Sequence, residues 1–540
     1  MKKALIAFLF LGLLALGYWR WQGQQQSAPR AGGTSAASNA TKTNPKAPIK
    51  GVASTLDEPA AVMPPATYPY KDNIVEIELS EYAGYAGLIY ANGGLEPNEN
   101  SYFFKTYGFK PKITLSESDN WSPLNSGRIA VTSTTVDVLA VYANQMQVVV
   151  PVQTSYSRGA DSIVVRESIK RINDLKGKIL MASQFGESEF FLRYLAQEAN
   201  LPVYNLKEGE RAKPDGVNLR YADDPFIAGD VFAANLDEYA GFVGWEPKVG
   251  EVVSHAGGKA HVLVDNRNLL TIADVLMVNK GFAQQHPEIV KGLVEGILYG
   301  NDVVRNDPPK AYPVLKKAFK WDDAESKANL AKVHLSNYPE NIAFFAGAAD
   351  AAGSFSSIFQ TSLYAYSNFV KHNVGPDRFI NTQPLEAAKD RYAKQTANIQ
   401  PIRTTQNAGI EGSPLLSRNV RFLFEPNSFQ LAESDQNSKY YADTKRLLDV
   451  SPGSTVLLRG HVDNGQVEDF RKKGGDPLVR RMGLSAVQLS RDRANAVKGK
   501  LMKDYGITAD RIEIVGRGWD EPVGTSDDNR RVEVYWFTVE

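Results

Sequence analysis

The sequence offers its clearest binding chemistry where strands end in small polar residues. The strand-like run GRIAVTST (127–134) closes on Ser133, Thr134 and Thr135. Gln184, Gly186 and Ser188 stand between strand-like KILMA (178–182) and the amphipathic SEFFLRYLAQEANL (188–201). A strand end followed by a helix start brings unpaired backbone amides beside hydroxyls, which together bind an anion without a formal positive charge. Tyr82, Tyr85 and Trp245 are candidates to pack against the apolar part of such a ligand. Each has a plainer alternative, because Ser133 and Ser188 also suit ordinary helix N-caps and Trp245 suits a core.

Chemistry of other kinds finds little footing. The chain has no cysteine, which excludes a disulfide framework, a thiolate zinc site, a cysteine nucleophile and an acylated lipoprotein cysteine. Its six His are scattered, and no HExxH, GxSxG or phosphate-binding glycine loop occurs. No enzymatic activity, metal or cofactor is therefore expected. Lys+Arg and Asp+Glu both number 61, so no global field draws the chain to nucleic acid.

These residues need elements to place them, and 540 residues with 43% hydrophobic content allow two or three domains. Lys2 and Lys3 precede an almost unbroken apolar run over 4–18, a pattern that directs export. As a helix, the run to Trp19 would be about 24 Å long, against a hydrocarbon layer of ~30 Å. Tyr18, Trp19 and Trp21 extend it as interfacial anchors, and only Ala15 and Gly17 approximate a cleavage site. Residues 1–21 are thus expected to be an uncleaved helix anchored in the inner membrane, with a cleaved signal peptide as the alternative. Either delivers the rest to the periplasm of a Gram-negative-type envelope.

Residues 22–72 are mostly Gln, Ser, Ala, Thr, Asn and Pro, and predict a disordered linker with a span of about 40 Å. From 73 to about 395 strands such as IVEIEL (Ile74–Leu79), SIVV (162–165) and VLMV (275–278) alternate with amphipathic helices. That alternation predicts parallel sheets in an α/β architecture. A second polar stretch, 396–417, reads as a shorter linker. Beyond it NVRFLF, SKYYADTKRLLDV, TVLLRG, LSRDRANAVKGKLMKDYG, RIEIVGRG and RRVEVYWF follow in βαβαββ order, an α+β unit over 418–540. No internal repeat of fixed period appears.

Blocks in this last unit, FLFEPNSFQL (422–431), LLRGHVDNG (457–465), LSRDRANAV (489–497), YGITADRIEIVGRGWDEP (505–522) and NRRVEV (529–534), together resemble the OmpA-like peptidoglycan-binding domain. The resemblance implies a diaminopimelate ligand, which presents an ammonium and a carboxylate. It assigns the ammonium to Asp463 and the carboxylate to Arg493, whose planar fork makes two parallel charge-assisted bonds. Asn529 and Arg530 match a further stretch lining the family's site, and Asn427 lies on its first-strand loop. The plain alternative is that Asp463 and Arg493 bridge each other on the surface. His461 is read as structural, since the family often has His there. Two departures stand out: Ala486 replaces a usual asparagine, and the Arg-, Lys- and Gly-rich segment 466–483 is longer than is typical. That segment is expected to be a solvated loop, with a basic flap over the site as the alternative.

The central region resembles, over 73–395, the periplasmic solute-binding proteins of ABC importers in the nitrate, sulfonate and taurine group. The resemblance rests on SEYAGYAGLIYANGGLE (80–96), IAVTSTTVDVLA (129–140), the run from RGADSIVV to QEANL (158–201), YAGFVGWEP (239–247) and VLMVNKGFAQQHPEIVKGLVEGIL (275–298). It implies two α/β lobes closing on a hinge around a ligand. The expected function is an envelope binding protein that attaches to peptidoglycan and takes up or senses a small anionic or zwitterionic solute, with an ABC permease as an implied partner. The alternative is a structural spacer or partner platform between membrane and wall, whose central region no longer binds solute.

Overall fold

The computed structural model describes residues 49–540 except 118–120, 268, 348–352, 393, 398, 400–415, 426–427, 432–433, 452 and 538–540; for 416–420 and 423 it describes the backbone alone. The apolar N-terminal run and Asn427 lie outside the described residues. Among the described residues no helix is long and apolar enough to cross a membrane.

Alternation along IVEIEL turns Val75, Ile77 and Leu79 fully inward while Ile74, Glu76 and Glu78 stay half-buried. This strand pairs in parallel with Lys110–Leu115 and Val131–Thr135. Ala273–Asn279, buried along its whole length, joins Val131–Thr135 antiparallel, and Gln153–Ser157 and Val333–Leu335 continue the sheet outward. A second sheet runs Ala260–Asp265, Asp161–Arg166, Gly241–Trp245, Ile179–Ser183, Val217–Ala222 and Val203–Asn205. The expected parallel sheets are therefore mixed. The chain crosses from the first sheet to the second after Ser157 and returns before Ala273, and the entering strands Asp161–Arg166 and Ala273–Asn279 run against the strand next to them.

Each sheet carries its own helices and core, giving two lobes. In the first lobe helix Ala86–Asn92 lies against Pro287–Asn306 at a glycine contact. A Cβ on Gly300 would stand 1.9 Å from the Gly87 carbonyl oxygen, so only hydrogen fits there. The close approach fixes the turn carrying Tyr82 and Tyr85.

The linker expected over 22–72 is in part a strap. Ala53 N–H donates to Tyr221 O at 2.8 Å and Thr55 Oγ1 to Leu206 O at 2.7 Å, both on the second lobe. Val62 N–H donates to Gln145 Oε1 at 2.8 Å, and Tyr68 is buried edge-on against Phe282, both on the first. The aromatic residues of TYPY (67–70) offer enough apolar surface to order a segment whose overall composition reads as coil.

In the C-terminal unit the expected βαβαββ order is present. Strand Leu416–Leu423 pairs antiparallel with Arg531–Phe537, which pairs antiparallel with Thr455–Gly460, itself parallel to Ile512–Gly516. Helices Asp435–Val450 and Val467–Tyr505 cover the sheet. The expected loop over 466–483 is instead helical. Gly474 and Gly475 break the backbone, and Pro477 then starts a second helical segment that runs straight into LSRDRANAV. Gly460 lets this helix sit directly on the sheet, since a Cβ there would be 1.8 Å from Ser490 O. The unit packs on the second lobe, with Leu270 N–H donating to Val450 O at 3.0 Å and Arg446 meeting buried Glu198 at 2.6 Å.

Candidate functional site

In the C-terminal unit Asp463 and Arg493 line one cavity of about 320 Å3, together with Arg530, Gln466, Ser485 and the apolar side chains of Val462, Phe470, Met482, Ala486, Leu489 and Trp519. Arg493 is only 1% exposed. Its Nε donates to Ser428 O and its Nη1 to His461 O, both at 2.9 Å, and the guanidinium stacks 5.3 Å from the Phe424 ring centre. Burial, and then the charge of Arg530, pull Arg493 down to about 10, so it remains a cation at neutral pH. Asp463 accepts from Gly465 N–H at 3.1 Å and Ser526 Oγ at 3.0 Å. The carboxylate is thus held by its own loop and by the turn carrying Ser526, and no ion pair with Arg493 occupies either group. His461 is buried, offers its carbonyl to Arg493 and turns its ring to Glu533, with Nε2 3.4 Å from Oε2.

Arg530 reaches the cavity, whereas Asn529 does not. Asn529 accepts from Val523 N–H and Arg531 Nη1 and donates to Thr525 O, so its amide braces its own turn. The helical segment 467–483 supplies residues that sequence reasoning did not select, Phe470 and Met482, and Phe470 stands 6.3 Å from the Trp519 ring. Ala486 takes its place in the wall and adds no hydrogen bond.

A second cavity, of about 120 Å3, lies where the lobes meet. Six expected residues line it: Tyr82, Tyr85, Ser133, Thr134, Thr135 and Trp245. Three do not. Gln184 clamps the strap, accepting from Leu56 N–H and donating to Leu56 O, each at 2.8 Å. Gly186 caps helix Glu187–Glu198 through its backbone, and Ser188 is fully buried behind it. Ser133 lines the cavity but gives its hydroxyl to Val275 O at 2.9 Å.

The lining is acidic. Glu117, Asp161, Glu187 and Asp274 face the cavity, and among the described residues no Lys, Arg or His does. Asp161 accepts from Ser157 Oγ at 2.5 Å, and Asp274 accepts from Tyr85 Oη at 3.0 Å. Burial, and after it the negative charge of neighbouring acids, lift Asp161 and Asp274 to about 7 and Glu187 to about 8. Hydroxyls and helix amides suit an anion, whereas the carboxylates around them suit a positively charged group. The missed signal was legible in part: RGADSIVV and TIADVLMV each open an apolar strand with a lone acid.

Comparison with known proteins bears on both cavities. Residues 423–534 match the OmpA family. This segment is an OmpA domain. Outer membrane porin F of Pseudomonas aeruginosa is 29% identical over 142 residues, 25% of this chain and 35% of the porin. Outer membrane protein Omp38 of Acinetobacter baumannii is 29% identical over 139 residues, 26% of this chain and 33% of that protein. The chain therefore spans about a third of the length of these curated relatives. Residues 102–311 match a family described as NMT1/THI5 like. Among solved structures, the alkanesulfonate-binding protein of Xanthomonas axonopodis pv. citri is similar over 58% of this chain and 99% of its own, at 14% identity and a TM-score of 0.44. The periplasmic nitrate-binding protein of Synechocystis is similar over 59% of this chain and 89% of its own, at 12% identity and a TM-score of 0.42. The OmpA domain thus contains the cavity with Asp463 and Arg493, and the NMT1/THI5-like segment supplies part of the cleft.

Proposed function

We propose that this chain is a cell-envelope binding protein that docks to the peptidoglycan stem through its OmpA domain and holds a small solute between its central lobes. One observation carries the first half: an acid and an arginine, unpaired with each other, line a single cavity of a size suited to a small ligand. Asp463 would take the ammonium of diaminopimelate and Arg493 its carboxylate, with Arg530 adding positive charge beside the latter. The two-lobed central region with a cavity at its junction supports the solute-holding half. A spacer that had given up its ligand would have no use for four carboxylates around that cavity, two of them buried with no cation beside them among the lining residues, since burying a charge without a counter-charge costs stability. In this reading residues 1–21 hold the chain at the inner membrane, the remainder works in the periplasm, and an ABC permease or a sensor receives the solute.

Retention on purified sacculi tests the docking. Asp463→Ala is expected to weaken retention by about 10- to 100-fold, from the loss of one charge-assisted contact. Arg493→Lys, which keeps the charge but not the planar fork, is expected to weaken it while leaving the thermal transition in place. Undiminished retention by both variants refutes the assignment.

A further inference from the structure

The acids of the cleft come from both lobes. Glu117 and Asp274 belong to the first, Asp161 and Glu187 to the second, and the chain crossings set Asp161 and Asp274 at the junction itself. Between them stand four aromatic side chains, Tyr82, Tyr85, Trp121 and Trp245. Two hydroxyls that line the same cavity, Tyr82 Oη and Thr135 Oγ1, are buried and make no hydrogen bond of ordinary geometry. These hydroxyls stand close to Asp274, Ser157 and Asp137 without completing a well-formed bond, and no cation stands among the lining residues, so the cavity is shaped for a positively charged donor that comes from outside. A metal ion does not fit this arrangement: among the described residues no three His, Asp or Glu side chains converge as a ligand set. The carboxylates come from four separate segments of the wall, where they offer more than one point of contact to a bound molecule.

We propose that the cleft binds a small organic cation, a short aliphatic diamine or a related diammonium compound. Its ammonium groups would sit against the carboxylates and open hydroxyls, and its methylenes against the aromatic faces. A dication is favoured because one positive charge leaves most of four acids uncompensated. The proposal rests on reading the central region as a solute receptor and gives that receptor a ligand opposite in charge to the one its Ser/Thr loops suggest.

A pH signature follows. The groups facing the site are Glu117, Asp161, Glu187, Asp274, Tyr82 and Tyr85, with Asp137 buried behind Thr135 and Glu81 and Asp224 near Glu117 at the mouth. None is a cation. Asp161 and Asp274 stand near 7 and Glu187 near 8, so a bound dication drives protons off them. Affinity therefore rises from pH 6 to about 8 and then levels.

The test is calorimetric titration and thermal shift on the full chain with 1,4-diaminobutane, choline, taurine and nitrate. 1,4-Diaminobutane is expected to bind with proton release and to raise the melting temperature. Glu187→Gln and Asp274→Asn are each expected to weaken it by about 10- to 100-fold, without changing retention on sacculi. Preference for choline overturns the diammonium assignment. Binding of taurine or nitrate, unaffected by Glu187→Gln, overturns the cation proposal and leaves the receptor reading standing. A protein that binds none of the four compounds overturns both.

Discussion

Asp161, Asp274 and Glu187 keep protons in the folded chain that an unfolded chain would release. Their ordinary values are 3.8 for the aspartates and 4.5 for the glutamate, and the fold raises them to about 7 and about 8. Between roughly pH 4 and pH 8 the folded state thus binds more protons than the unfolded one, and stability falls as pH rises through that window. Calorimetry is expected to show the melting temperature of the ligand-free protein declining from pH 5.5 to 8.5, with a shallower decline in Glu187→Gln. A flat profile in the parent protein would count against the cluster's carrying these shifts. At this scale the sequence was half legible. Ser133 to Thr135 could be placed at the cleft because a strand end announces itself. The acids could not be assembled, because Glu117, Asp161, Glu187 and Asp274 meet only once both crossings are folded.

Among elements, the helix that begins at Val467 changes the cavity of Asp463 and Arg493 most. Gly474, Gly475 and Pro477 are loop signals, and they do interrupt the helix, but the residues on either side remain helical and bring Phe470 and Met482 to the cavity. Pattern alone gave no cue that two short helical segments would join in one wall. Phe470→Ala is expected to weaken sacculus retention several-fold, about 0.5–1.5 kcal/mol for a lost aromatic contact, with little change in folding. Gly460→Ala acts differently. Its new methyl meets Ser490 O, so chemical denaturation is expected to show a loss of about 1–3 kcal/mol in the OmpA domain. The βαβαββ order was readable throughout because each strand and helix there keeps its own period.

Across the whole molecule, the OmpA domain is joined to the second lobe by a buried charge. Glu198 is fully buried and Arg446 reaches it from helix Asp435–Val450. Arg446→Ala takes the guanidinium away from that buried carboxylate, at a cost of about 3 kcal/mol, and is expected to split one thermal transition into two as the domains uncouple. No sequence period reports on such a contact, since it joins residues far apart in the chain. Linker boundaries were legible for the same reason only as composition, which is why the strap passed for coil.

That strap sets a limit on how the lobes move. Asp57 is fixed to the second lobe through Lys207 at 2.8 Å, and Val62 to the first through Gln145 at 2.8 Å. The intervening chain, drawn taut, reaches about 18 Å. A wider gape must first peel one end of this leash from its lobe, so access to the cleft and adhesion of the leading segment are two faces of one equilibrium.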